Sequence, residues 1–393
     1  MLGPAQFGQY AFIMALVPLL ALPTVGGVAR LLTREVTKFS HAEAWGKYRG
    51  ILGFGYRWAF VYSLAVLVTM LLAWGFLGTE FFTGKWRYLP GAAVLVPLLG
   101  VIAVLNGATK GLGAMAASEA PAQLVRPVAF LLFLVAFAVY GHLTTAIAIG
   151  GQAVAAGIAL VIAAYLLKLN QPRTAKEHTA TFATRDWSSM LVPLTLIALV
   201  GTLNSQFGIV LLGLIGTDES VAAFQIADSG AKLVVLSLTL VNMVIGPQIV
   251  KYRLAGDLRG LQALSRQSAR SALLIAGPVA VAFILFGEPI IALFYGAEYA
   301  DIAFWPLAIL AFGNLISVFF GSVGYMLTMS DLENETLRGQ AISLSVNIVA
   351  CSILIPVYGA VGAAIGVTIG VVVWNVVLAI RVYHRLGIRP SAL

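Results

Sequence analysis

Asp228 and Lys232 stand four residues apart within "VAAFQIADSGAKLVVLSLTLVNMVIG", a stretch of mostly apolar residues. On a helix this spacing puts both side chains on one face, one turn apart, where they can pair. A lysine halfway along a membrane-length helix costs at least about 2.5–3.5 kcal/mol on insertion scales, so it belongs in a bundle interior or an aqueous cavity. Two roles are open to it. The pair can be neutral glue between helices, or Lys232 can be a cation in a cavity that attracts an anionic group or titrates during a cycle. Arg30, Arg57 and Arg126 fall at the edges of apolar runs. They either mark a membrane boundary or line an inner vestibule suited to phosphate groups, which guanidinium geometry matches. Asn204 and Gln206 add amides near the middle of another run, with hydrogen bonding between helices as the default role and cavity lining as the alternative. Asn106, Asn242, Asn314, Asn347 and Asn375 carry the same default.

Other chemistries lack their residues. There is no glycine-rich phosphate loop of the Walker type, and no HExxH or nucleophile motif. His41, His142, His178 and His384 are scattered, and Glu80, Glu298 and Asp301 group with nothing else. The single cysteine, Cys351, excludes an intrachain disulfide. No metal site or cofactor is expected, and the reading is not an enzyme.

The elements that position these residues follow from composition. Of 393 residues 60% are hydrophobic and only 10% charged, with a mean hydropathy of +0.95. Soluble domains carry about 25% charged residues. Apolar runs near the roughly 20 residues that cross a bilayer recur along the chain. Eleven spans are expected: 9–29, 56–78, 89–109, 125–141, 145–167, 189–214, 221–247, 270–294, 303–328, 338–356 and 360–383. No basic segment precedes the first run, so a cleaved signal peptide is not expected.

The net charge of +8 marks topology rather than nucleic-acid binding. With Lys85 and Arg87 on the other side and Lys232 within a span, 21 of the 24 Lys and Arg fall on one side. The positive-inside rule makes that side the cytoplasm. The C-terminus is then cytoplasmic and residue 1 extracytoplasmic. Ser40 and Glu43 fit a capping box, and Asp257 fits the cap of a second amphipathic connector bearing Leu258, Leu261 and Leu264. Pro18, Pro23, Gly26 and Gly27 interrupt the first span, and Pro193 and Pro278 lie in others, as either hinges or ordinary kinks.

Residues 139–165 align without gaps to 357–383, with Val139, Tyr140, Gly141, Ala146, Ile147 and Tyr165 meeting identical residues. This suggests parallel repeats, a common transporter plan. It divides the chain into a first lobe over 1–168, a basic cytoplasmic linker over 169–188 and a second lobe over 189–393.

Further stretches resemble one family. "LGPAQFGQYAF", "NGATKGLGAM" with "EAPAQLVRP", "VNMVIGPQIVKYRLAGDLRGLQAL", "LFGEPIIALFYGAEYA" and "GSVGYMLTMSD" are similar to motifs of the polysaccharide flippases, the Wzx-type O-antigen and exopolysaccharide exporters of the MOP superfamily. The resemblance implies an all-α fold, a polytopic membrane helix bundle of about eleven helices in two lobes around a central cavity. It implies export of undecaprenyl-pyrophosphate-linked oligosaccharide across a bacterial inner membrane by alternating access, with proton or cation coupling. The partners it implies are the bilayer, the lipid-linked glycan, and a polymerase and glycosyltransferases of the same pathway. A drug or cation exporter of the same superfamily and a membrane enzyme of polysaccharide assembly are the alternatives. The family's usual twelve or more helices leave the first unmatched, with Gly3 the counterpart of Gly216, so a further helix upstream of Met1 is expected.

Overall fold

The computed structural model describes residues 2–81, 83–139, 143–172, 174, 178–330 and 332–392, with the side chains of 77–81, 139, 243 and 247 left aside. Among the described residues the chain is helical with no strand, as a bilayer-crossing backbone that must satisfy its own polar groups requires. The Glu80 side chain, His142, and the Tyr140 and Gly141 of the repeat lie outside the described residues.

In chain order the helices are α1 (Pro4–Leu20), α2 (Ala29–His41), α3 (Trp45–Phe81), α4 (Leu89–Ala93), α5 (Leu95–Gly111), α6 (Met115–Ala120) and α7 (Arg126–Val139). Then come α8 (Thr145–Asn170), α9 (Thr184–Ile215), α10 (Asp218–Leu254), α11 (Leu258–Tyr295), α12 (Ala297–Phe320), α13 (Val323–Thr328) and α14 (Glu333–Leu386). Among the described residues eight helices are long and apolar enough to cross a membrane, and two bent pairs pass the same test together. The pairs are α1 with Pro23–His41, bent by 51°, and Gly84–Ala93 with α5, bent by 42°.

The longest of the eight supplies two crossings. The 54 residues of α14 would extend about 81 Å if straight, far beyond a hydrocarbon core of about 30 Å. The chain folds back at Gly359, whose φ of +54° and ψ of −126° suit glycine alone. The two arms then pack face to face, with Ser343 Oγ donating to the Gly370 carbonyl at 2.8 Å. With the arms counted apart, the helices and bent pairs match all eleven expected spans.

Their edges differ from expectation in three places. The span expected over 303–328 ends at Phe320, because Gly321 turns the chain at φ +71° before the short α13. Ser40 does not open a helix but lies in the last turn of α2, and Glu43 follows at φ +52°. Burial of Leu31, Leu32, Val36 and Phe39 sets the register of α2, and the capping box does not form. Asp257 does cap, its Oδ1 accepting from Gly260 N at 2.8 Å. The helix it starts is no separate connector, since α11 runs on into the apolar stretch and kinks only at Phe286, ahead of Pro289.

The chain divides into two compact units, residues 1–202 and 203–393, with the division inside α9. Helix α8 buries its small residues and exposes large ones. In α8, Ala148, Ala155, Ala156, Ala159 and Ala163 are buried while Val154, Ile158 and Val161 face outward. Lipid tails are as apolar as leucine, so helices gain by close backbone approach rather than by hiding leucine. Gly107 and Gly111 of α5 show the gain. A Cβ on either would collide with α2, and the bare backbone lets Thr33 and Thr37 hydroxyls reach the Gly107 and Gly111 carbonyls at 3.3 and 3.1 Å.

Candidate functional site

The first unit holds a hydrogen-bonded cation within a helical stretch long enough to cross a membrane. The helical stretch Met115–Ala138 is one crossing of 24 residues, and Arg126 sits at its middle rather than at its start. The expected span starts at 125, where Arg126 precedes Pro127. Instead a π-helical turn over Pro121–Val125 absorbs the missing N–H and carries the helix through. Arg126 thus lies inside a continuous helical stretch.

Its partners are neutral. Nη2 and Nε donate to Gln152 Oε1 at 2.9 and 3.2 Å, and Gln152 Nε2 donates to the Tyr10 hydroxyl at 2.8 Å. Tyr10 in turn stacks on Phe130, with ring centroids 6.2 Å apart and planes 8° apart. Side chains from α1, α7 and α8 thus hold one guanidinium in place. Of its five N–H donors two are used, and no carboxylate pairs with it among the described residues. Sequence reasoning misses Gln152 and Tyr10. The signal available is a lone glutamine in the apolar α8.

Arg30 lies elsewhere in this unit, at the start of α2. It lines an open groove of about 590 Å³ with Arg34, Thr33, Asn106 and the Lys110–Glu119 pair, which is 3.0 Å apart. Arg57 is exposed on α3 and stacks its guanidinium over Phe182, 5.0 Å from the ring centroid. Phe182 belongs to a docked strap. Thr181 N donates to the Gly46 carbonyl at 2.9 Å and Arg49 Nη1 to the His178 carbonyl at 2.6 Å, so residues 178–183 lie along α3. Arg30, Arg57 and Arg126 thus do not form one cluster.

In the second unit, Lys232 Nζ stands 2.5 Å from Asp228 Oδ2, the pair expected from the spacing. Lys232 lies midway along Asp218–Gly246, and its side chain is 61% exposed against 18% for Asp228. Asn314 Nδ2 from α12 donates to the Ala231 carbonyl at 2.9 Å, fixing α10 beside the pair. Asn204 Nδ2 donates to the Gln340 carbonyl at 3.1 Å, the helix-bridging role, whereas half-buried Gln206 has no hydrogen-bond partner among the described residues.

A third charged group escapes sequence reasoning. Buried Glu335, at the start of α14, accepts from Arg385 at 2.7 Å, with Arg381 at 3.5 Å and Arg338 at 3.8 Å. It ties the first arm of α14 to the end of the second, which no local sequence pattern foretells. Among the described residues no group of three or more His, Cys, Asp or Glu could hold a metal ion.

Comparison with known proteins fits this arrangement. The family model for polysaccharide biosynthesis proteins matches residues 1–253. The probable low-salt glycan biosynthesis flippase Agl15 of Haloferax volcanii is 24% identical over 164 residues, 42% of this chain. That match spans about a third (34%) of the relative's length. Among solved structures, an inward-facing multidrug-resistance MATE transporter of the MOP superfamily aligns with 98% of this chain and 91% of its own, at 15% identity and a TM-score of 0.81. The lipid II flippase MurJ, in an inward closed conformation, aligns with 96% of this chain and 85% of its own, at 13% identity and a TM-score of 0.69. At such identities the structures speak for the fold. The family match over more than half of its length shows that this multi-pass membrane chain, with its transporter-like helical fold, belongs to the polysaccharide biosynthesis protein family.

Proposed function

We propose that this protein moves an undecaprenyl-pyrophosphate-linked oligosaccharide, an O-antigen or exopolysaccharide repeat unit, from the inner to the outer leaflet of a bacterial inner membrane by alternating access. The supporting observation is Arg126, a cation at mid-helix depth bound only by neutral groups. An uncompensated charge there is costly, and an anionic headgroup is a partner that offsets the cost. Arg126 carries this role better than Lys232, whose charge Asp228 already balances.

Arg30 and Arg34 supply a basic groove at the start of α2, suited to the first capture of a pyrophosphate. The isoprenoid tail stays in lipid against the exposed leucines while the glycan passes through polar surroundings. Proton or cation coupling is part of the reading, with Asp228 the carboxylate at the depth of Lys232. The C-terminus lies in the cytoplasm, beside the glycosyltransferases and polymerase that make and consume the cargo. A cation exporter would want an unpaired carboxylate at that depth, and Asp228 is paired.

The test is flipping of a fluorescent lipid-linked oligosaccharide in vesicles containing the purified protein. Export of a cationic dye and glycosyl transfer are assayed on the same preparation. Flipping without the other two supports the proposal. Dye export or glycosyl transfer without flipping replaces it.

A further inference from the structure

Arg259, Arg266 and Arg270 line an open groove of about 630 Å³ beside the first turns of α11. At 100° per residue, offsets of 7 and 11 bring all three within about 20° of one line, a basic stripe about 16 Å long. Arg259 and Arg266 are exposed and have no ion-pair or hydrogen-bond partner among the described residues. Arg270 spends only Nε, donating to the Ala392 carbonyl at 2.8 Å.

The facing wall is built by the chain's last residues. Gln262 and the Arg389 backbone exchange two hydrogen bonds, at 2.8 and 2.7 Å, and Ile388 beside them is buried. Gly387 and Ile388 then form the wall.

A second groove, of about 360 Å³, shares Gln267 and Ser271 with the first and continues onto Leu240 and Val244 of α10. Both of these apolar side chains are exposed. The basic half thus opens directly into an apolar half. Helix α11 is about 57 Å long, well beyond the hydrocarbon thickness, and its apolar run starts just after Arg270. Arg266 and Arg270 therefore fall at headgroup depth, and exposed Leu274 falls in hydrocarbon.

We propose that the joined grooves bind an anionic diacyl phospholipid of the adjacent leaflet. Its phosphate lies on the stripe of Arg259, Arg266 and Arg270, and one acyl chain lies along Leu240 and Val244. The arginine stripe gives the preference for negative charge, and the apolar continuation distinguishes a lipid from free phosphate. This site is separate from Arg126 and does not rest on the transport reading.

The purified full chain in detergent is titrated by native mass spectrometry with phosphatidylglycerol and with phosphatidylcholine of the same acyl chains. Phosphatidylglycerol should bind at least tenfold more tightly. At about fivefold per arginine near a membrane surface, R259Q/R266Q should weaken it about 30-fold and leave phosphatidylcholine unchanged. K168Q, which removes an exposed charge from α8, should leave the preference intact. Should R259Q/R266Q unfold, Ser271→Trp fills the junction of the grooves and carries the same expectation. Equal binding of the two lipids, or a preference surviving in R259Q/R266Q or Ser271→Trp, overturns the proposal. So does displacement of phosphatidylglycerol by glycerol 3-phosphate at equal concentration, which indicates a free-phosphate site. Tighter arginine-dependent binding of a polyprenyl diphosphate reassigns the grooves to cargo and overturns it too.

Discussion

Replacing Arg126 by methionine should separate stability from cargo binding. Methionine keeps an unbranched apolar stem and removes the charge. It relieves the cost of about 2.5–3.5 kcal/mol that a charged residue carries at the centre of a span. Against that stand two charge-assisted hydrogen bonds to Gln152 Oε1, at 2.9 and 3.2 Å, and the exposure of that oxygen without a donor. An orphaned buried acceptor costs about 1–3 kcal/mol, so the opposing changes should leave folding stability within about 2 kcal/mol of the parent. Binding behaves differently. A lost guanidinium–phosphate contact at about 2 kcal/mol corresponds to about 30-fold weaker affinity. Microscale thermophoresis with a fluorescent polyprenyl diphosphate measures the affinity, and thermal unfolding in the same detergent measures stability. An R126M protein that is folded and binds within threefold of the parent would refute the reasoning.

Further expectations follow from the supporting contacts. Glu335→Ala leaves three guanidiniums facing one another at the end of the α14 hairpin and should lower stability, by less than the loss of a fully buried pair because the arginines are half exposed. Its melting temperature checks this, and an unchanged value contradicts it. Gly359→Ala should cost about 1–3 kcal/mol, since the backbone there sits in a region that side chains disfavour; equilibrium unfolding reads it. Gly50→Ala puts a methyl group on the Thr181 carbonyl and should release the 178–183 strap, seen as faster tryptic cleavage at Arg185.

Much of the fold is legible in the sequence, because crossing a bilayer demands about 20 apolar residues and these stand out against basic loops. The Asp228–Lys232 pair is legible too, since a four-residue offset on a helix fixes it. What escapes is whatever depends on a helix edge or on a distant partner. Arg126 reads as a boundary residue because an apolar run starts beside it, and only the π-helical turn over Pro121–Val125 shows that the helix begins earlier. Ser40 and Glu43 satisfy a local pattern, but burial of Leu31, Leu32, Val36 and Phe39 overrides it. Gln152 meets Arg126 across 26 positions and Glu335 meets Arg385 across 50, distances at which no periodicity speaks. The strap over 178–183 carries no apolar pattern of its own. It is held by backbone hydrogen bonds and by the bare surface of Gly46 and Gly50.

The central claim is that the anionic headgroup of a lipid-linked glycan is what this protein recognises and carries. The most direct measurement compares initial flipping rates in proteoliposomes for one oligosaccharide on two carriers, a polyprenyl diphosphate and an uncharged diacylglycerol. The account predicts protein-dependent flipping of the diphosphate-linked glycan, lost in R126M, and no rate above that of empty vesicles for the uncharged one. Equal protein-dependent rates for the two carriers would contradict it.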